Sequence, residues 1–472
     1  MSAPGEYFFC GIGGSGMTPL ALIILARGGV VEGSDRALDQ GRNTERFDFL
    51  RARGVLLHPQ DGSGITRPSQ TLVTSAAVEE TVPDVQAARH IGAAITTRAK
   101  LLAELFNSAG TGLGIAGTSG KSTTVGMLGW ILHRAGKNPT IMNGADMKNF
   151  LDAQTPFASA RIGDGELFVS EVDESDGSIA LFEPRIAVLN NISLDHKSLD
   201  ELRTLFRGFV AKAQTVVLNL DNAETAALLA GLKPEQAMTY SLNAAHAGLV
   251  ASRPVRSPAG IAFQVKERES GETVAVSLNV PGLHNVANAL AALSAAQACG
   301  VALAAGAAHL GEFSGIHRRL EIAGSASDIT VIDDFAHNPD KISATLETMH
   351  AFPGRLLLMF QPHGYGPIRL MRDALVECFA TGLQDEDILV MPEPVYFGGT
   401  TDRSVGSKDI VHQIQERGRK AVAFPDRPAC GDELVRLARP GDRIVIMGAR
   451  DDSLSQFARD LLPRLAARHC RA

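Results

Sequence analysis

Two glycine-rich loops in this 472-residue chain carry residue types and spacings that hold phosphate. The stronger reads GTSGKSTT, from Gly117 to Thr124, between the apolar run GLGIA and the stretch VGMLGWILHRAG. Gly117 and Gly120 let backbone N–H groups turn toward one anion, and a helix starting after them adds its positive end. Lys121 reaches a terminal phosphate oxygen, and Ser122 offers a hydroxyl to Mg²⁺. Gly117, Thr118, Gly120, Lys121, Ser122 and Thr123 therefore form a candidate ATP cradle. The strict phosphate-loop pattern fails at one point, because Ile115 stands where its first glycine belongs.

Magnesium needs further oxygen ligands. SEVDESDG supplies Glu171, Asp173, Glu174 and Asp176 after the apolar run LFV, and NNISLDH ends another with Asp195 and His196. An acidic run is usually a solvated loop. Two consecutive strand ends with acid and histidine make Ser122, Glu171 and His196 candidate metal ligands.

The second loop, GIGGSG, fits G-x-G-x-x-G with Gly11, Gly13 and Gly16, and Asp35 lies about twenty residues on. That fingerprint reports a diphosphate and a ribose. Alone it reads as an NAD-binding oxidoreductase. A uridine diphosphate sugar fits the same description, and beside an ATP loop it is the more economical ligand.

These loops need strands and helices to aim them. YFFC, the glycine turn, TPLALIILA and VVEGSD form a strand–helix–strand unit of a doubly wound sheet, continued by GVLLHP, TLVTSAAV, VQAARHIG and AAITTRAKLLAELF. Residues 1–107 make a Rossmann-like domain. Residues 108–312 make a central ATPase domain with a parallel sheet, whose phosphate-loop helix stops at Gly136. Residues 313–472 make a second Rossmann-like α/β domain. The alternating stretch 248–280 reads as an antiparallel hairpin.

Net charge is −7, with 45% hydrophobic and 21% charged residues. A weakly acidic chain without a basic run fits neither nucleic acid nor an anionic membrane surface. The run TPLALIILA is too short to span a bilayer. Five scattered cysteines without a C-x-x-C pair fit free thiols in the cytoplasm. A monomer or homodimer is expected.

In order and spacing the motifs resemble the Mur ligase family of peptidoglycan synthesis, over nearly the whole chain. GIGGSGM with GSD, VTSAAV and TTRAKLLAEL resemble its UDP-binding domain. GTSGKSTT, EVDESDGS, NNISLDH and PGLHNVANALAA resemble its ATPase domain, and FSGIHRRLE, DDFAHNP and FQPHGY its acceptor domain. The resemblance implies an ADP-forming amide ligase that activates the carboxylate of UDP-N-acetylmuramate as an acyl phosphate. An amino acid, by the nearest branch L-alanine, or a tripeptide then attacks it; a diverged acceptor is a further alternative. It implies that Gly13, Gly14, Ser15, Gly16, Met17, Ser34, Asp35 and Ser75 line the UDP-sugar site. Lys121, Glu171, His196, Arg318 and Arg319 act in catalysis, His284 and Asn288 meet adenine, Asp334 the ribose, and His337 and His363 the acceptor. The chain departs from that branch with Ser119 for histidine, Ser122 for threonine and Gly364 for arginine. The last leaves an acceptor carboxylate without its usual partner unless Arg369 or Arg372 replaces it.

Overall fold

The computed structural model describes residues 5–75, 78–193, 197–394, 402–449, 451 and 453–469. They form a mixed α/β structure with three sheets. The first is parallel throughout, in the spatial order Leu56–His58, Val30–Ser34, Glu6–Cys10, Gln70–Thr74 and Ala94–Thr97. The order of strand addition reverses beside Glu6–Cys10: the next two strands build outward on one side, the last two on the other. The loop after Glu6–Cys10 thus opens at the switch point of the sheet, where such folds hold ligands. Gly33 is required there by contact, since a Cβ would lie 2.7 Å from Phe9 O.

The second sheet has ten strands. From one edge they are Thr273–Leu278, Gly260–Glu267, Leu249–Ser257, Ala237–Ser241, Thr215–Asn219, Ile186–Leu189, Thr111–Ala116, Leu167–Glu171, Thr140–Met142 and Ala160–Arg161. The run from Leu249–Ser257 to Thr140–Met142 is parallel, and only the pairing of Ala160–Arg161 with its neighbour is antiparallel among those with a defined direction. Thr111–Ala116 sits inside the parallel part and is almost wholly buried, which explains its unbroken apolar character. The stretch read as one hairpin, 248–280, instead contributes three strands, because its alternation continues past the turn at Gly271. The helix Lys121–Arg134 ends where expected: Gly136 takes φ +72°, its N–H bonds His133 O, and Lys137 N–H bonds Leu132 O.

The third sheet runs Glu321–Ala326, Ile329–Asp334, Arg443–Gly448, Leu356–Gln361, Ile388–Pro392 and Lys420–Phe424. Only its first pair is antiparallel.

Packing divides the chain into two compact units. One comprises Met1–Pro254, Ala262–Asn279 and Asn285–Ile316; the other comprises Val255–Ile261, Val280–His284 and His317–Ala472. The first sheet and the second, apart from Val255–Ser257 and Gly260–Ile261, therefore lie in one unit, and the two sheets share a hydrophobic core. Phe106, on the helix Arg98–Asn107 that ends the first segment, meets Phe168 edge to face at 5.8 Å and Phe182 at 5.2 Å. Residue 107 is a helix end rather than a break in packing. Among the described residues no helix is long and apolar enough to cross a membrane, and Cys10, Cys299, Cys378 and Cys430 are free thiols.

Phe106→Ala opens a cavity in this shared core and is expected to destabilise the first unit by about 3–5 kcal/mol. Urea unfolding followed by circular dichroism measures it; a loss under 1 kcal/mol means that the two sheets do not depend on this contact.

Candidate active site

The phosphate loop leaves the buried strand Thr111–Ala116 and enters the helix Lys121–Arg134. Gly117 has φ +125°, and a Cβ there would lie 3.0 Å from the backbone of Asn191. Gly120 has φ +82° and lies against Asn190 and Asn288, so each glycine is needed for both conformation and space. The loop is pinned rather than loose. Thr118 Oγ1 donates to Asn191 Oδ1 at 2.7 Å, and Ser119 N–H donates to the same oxygen at 2.9 Å.

Lys121 Nζ donates to Gly117 O at 2.7 Å and to Glu174 Oε2 at 2.8 Å. The two side chains are 13% and 5% exposed. Burial pulls the lysine pKa down, but Glu174, Glu171 and Asp173 outweigh it and hold the ammonium charged. Burial pushes Glu174 up, against the opposing pull of Lys121. Asp173 stays below the usual carboxylate range, because Lys121 and Ser175 overcome its burial.

Ser122 Oγ donates to Glu171 Oε2 at 2.9 Å, and Gly144 N–H reaches the same oxygen at 3.1 Å. The structure thus joins two of the three expected metal ligands; the third, His196, lies outside the described residues. A hydroxyl and a carboxylate are hard oxygen donors, suited to an Mg²⁺ ion that keeps most of its own water. Among the described residues no three His, Cys, Asp or Glu side chains cluster into a protein cage for a metal. Thr123 is half-buried in the first helical turn, while the buried Thr124 donates to Asn288 Oδ1 at 3.4 Å. Asn190 donates to Thr124 Oγ1 at 3.0 Å. Glu174, Asn143, Asn190 and Asn191 carry this site, and sequence reasoning gave none of them a role. Glu174 stands in the acidic run SEVDESDG and Asn190 and Asn191 open NNISLDH, while Asn143 carries no local signal.

At the first loop, Asp35 Oδ2 accepts from Gly13 N at 2.9 Å and Oδ1 from Ala37 N at 2.8 Å, so the acid caps the next helix and fastens the loop. Gly14 and Ser15 are exposed, and Ser75 is half-buried just past the neighbouring strand. Two of the residues expected at this loop are buried. Met17 is 3% exposed and packs into the core, because it begins the helix Met17–Ala26 on its inner face. Ser34 is fully buried, and its hydroxyl donates to Asp84 Oδ2 at 2.5 Å. Its carbonyl accepts Gly11 N and Ile12 N, so it supports the loop from behind. Arg98, unassigned from sequence, lies against Gly16, where a Cβ would sit 3.0 Å from its Cδ.

The second unit holds the remaining candidates. Arg318 was expected at the phosphate, but it is 3% exposed. Its guanidinium bonds Asp333 Oδ1, Asp451 O and Gly448 O, tying the ends of two strands together. A buried arginine held by three oxygens is a structural clamp. Arg319 is half-buried, 4.7 Å from the Phe335 ring centroid. Asp334, expected at a ribose, is also buried; Leu320 N–H and the Thr345 hydroxyl bind its two oxygens, and burial raises its pKa. The geometry makes it an anchor for the helix Pro339–His350. His284 is exposed. His337 and His363 meet edge to face at 5.4 Å. His337 Nδ1 bonds Phe335 O at 2.8 Å, which puts the proton on Nδ1 and leaves Nε2 an acceptor. Burial, helped by Lys341, holds this ring well below its ordinary pKa. Gly364 has φ +144°, a conformation that arginine does not adopt without strain. Arg369 pairs with Asp402 and Arg372 with Asp373, so both suggested replacements have acidic partners.

Three family models cover the chain: "Mur ligase family, catalytic domain" at 6–109, "Mur ligase middle domain" at 115–296 and "Mur ligase, glutamate ligase domain" at 318–450. The chain is 34% identical over 452 residues to UDP-N-acetylmuramate–L-alanine ligase of Pelotomaculum thermopropionicum, covering 94% of each protein. It is 33% identical over 482 residues to the enzyme of that name from Mesorhizobium japonicum, covering 98% of each. Its fold matches the UDP-N-acetylmuramate–alanine ligase of Thermotoga maritima at 24% identity, with TM-score 0.77 over 99% of each chain. It also resembles a murein peptide ligase from Psychrobacter arcticus at 25% identity, with TM-score 0.71 over 98% of this chain and 99% of that one.

Lys121→Ala leaves Glu174 buried without its counter-charge and is expected to cost about 3–5 kcal/mol. The double change Lys121→Ala/Glu174→Gln should recover most of this stability and still bind nucleotide more weakly than the parent; thermal unfolding and nucleotide titration read the two effects. His337 has a folded pKa below 6.5, so the unfolded chain protonates first. Its contribution is present above about pH 6.5 and is lost as pH falls below that value. His337→Gln should flatten this part of the stability–pH curve, measured by unfolding between pH 7.5 and 5.

Proposed function

Because the chain belongs to the Mur ligase family, we propose that it is an ADP-forming ligase that joins L-alanine to the carboxylate of UDP-N-acetylmuramate, in peptidoglycan precursor synthesis. The observation that carries the reading is one constellation: Lys121 on Glu174 and Ser122 on Glu171, at the start of a helix behind a glycine loop. Phosphoryl transfer asks a protein for placement and charge neutralisation rather than covalent help. The loop's backbone and Lys121 hold the ATP phosphates and stabilise charge on the transferred group. A magnesium ion at Ser122 and Glu171 would supply further neutralisation of the phosphate oxygens. Asn288, joined to Thr124, borders the same helix and suits the nucleoside side.

Residues 1–107, 108–312 and 313–472 act as UDP-sugar, ATP and acceptor domains in this reading. The first loop holds the uridine diphosphate through its exposed Gly14 and Ser15 and the switch-point opening. Family membership replaces the NAD-dependent reading of that loop. Arg319, His337 and His363 are the acceptor-domain candidates. A cytoplasmic location follows from the proposed substrates.

One observation favours a second acceptor class. Gly364 carries no side chain where the nearest branch has arginine, and one structural relative is a murein peptide ligase. A tripeptide acceptor or another amino acid is therefore the alternative within the same chemistry.

The test is phosphate release with ATP, Mg²⁺ and UDP-N-acetylmuramate, across a panel of amino acids and the tripeptide. Release that requires both organic substrates, fastest with L-alanine, is expected. Preference for the tripeptide selects the alternative, and no release with any acceptor overturns the ligase reading. In the same assay Lys121→Ala should lower kcat by about 10²–10³-fold.

A further inference from the structure

Buried polar side-chain atoms nearly always find a partner, so each exception calls for a reason, a bound water or ion among them. Among the described residues four such atoms stand without one: Thr96 Oγ1, Asn143 Oδ1, Asn190 Oδ1 and Arg443 Nε. Two of the four belong to residues bonded to the phosphate-loop helix or its loop. Asn190 Nδ2 bonds Thr124 Oγ1, and Asn143 Nδ2 bonds Ser122 O at 3.0 Å.

Asn143 follows the strand Thr140–Met142 and is 1% exposed. Its backbone N–H bonds Ser159 O at 2.8 Å, which fixes where the residue sits. The carbonyl of Ser122 can only accept, so the amide must present its NH₂ there, and the orientation of Oδ1 follows. The next residue, Gly144, donates to Glu171 Oε2, the oxygen that also receives Ser122 Oγ. The side-chain oxygen without a partner is therefore one residue from a backbone donor to Glu171, on an amide bonded to Ser122. Leaving such an acceptor dry is unfavourable, and a bound group removes that cost.

We propose that Asn143 Oδ1 is an outer acceptor for the divalent cation at Ser122 and Glu171, taking a hydrogen bond from a water molecule of that ion. The inference rests on the reading of Ser122 and Glu171 as the metal site. Mg²⁺ keeps several waters when protein-bound, and the groups that receive them tune affinity. A carbonyl oxygen without protons is suited to that task.

The test measures Mn²⁺ in place of Mg²⁺, by the electron paramagnetic resonance of free Mn²⁺ titrated into the full chain with ADP. Glu171→Ala serves as control, and thermal unfolding establishes that each variant is folded. Asn143→Ala is expected to weaken Mn²⁺ by about 10–100-fold. Asn143→Asp keeps an acceptor oxygen but loses the donor to Ser122 O, and should bind Mn²⁺ within about threefold of the parent or more tightly. Unchanged affinity in Asn143→Ala, with weakening in Glu171→Ala, overturns the role of Asn143. Equal loss in the Ala and Asp variants overturns it too, because the amide would then act only by holding Ser122. If Glu171→Ala binds Mn²⁺ like the parent, the metal reading itself falls, and the proposal with it.

Discussion

A lysine with only 13% of its side chain exposed keeps its charge beside a counter-charge, and Lys121 has Glu174 at 2.8 Å with Glu171 and Asp173 in support. Around this balance the candidate site is arranged. The acids come from the end of the strand Leu167–Glu171, adjacent to the strand that delivers the loop, and parallel pairing places both strand ends on one edge. A phosphate arriving at Lys121 meets an ammonium already charged, aligned by Gly117 O and the helix start.

The rest of that edge is lined with asparagine. Asn191 pins the loop at Thr118 and Ser119, Asn190 reaches Thr124, and Asn288 meets the same hydroxyl from the helix Leu283–Ala298. Neutral amides hold a loop without competing for its cationic or metal-binding groups. Pre-arranged donors and acceptors are what electrostatic catalysis requires, since they need no rearrangement as charge develops.

In the second unit the same economy appears as burial of groups that a motif would place at a ligand. Arg318 and Asp334 both stand at the C-terminal end of the strand Ile329–Asp334, and each is hydrogen-bonded to backbone or neighbouring side chains. They hold the strand ends from which His337 projects. At the loop after Leu356–Gln361, the backbone of Gly364 occupies a region that side chains disfavour, so an arginine would not take this place without strain.

What the sequence determined by itself was the set of local signals: apolar runs, glycine loops, the Gly136 stop, and the Lys121–Ser122 pair, each fixed by a few neighbouring residues. Three sheets with parallel pairing followed from those runs. Met17, Ser34, Arg318 and Asp334 sit inside motifs, yet the structure buries all four, and burial depends on elements distant in the chain. Tertiary structure alone joined Lys121 to Glu174, turned Asn143 toward Ser122, and merged the first two sheets around Phe106. Those contacts span from 21 to 76 residues of sequence, and only the register of the folded strands brings their ends to one place.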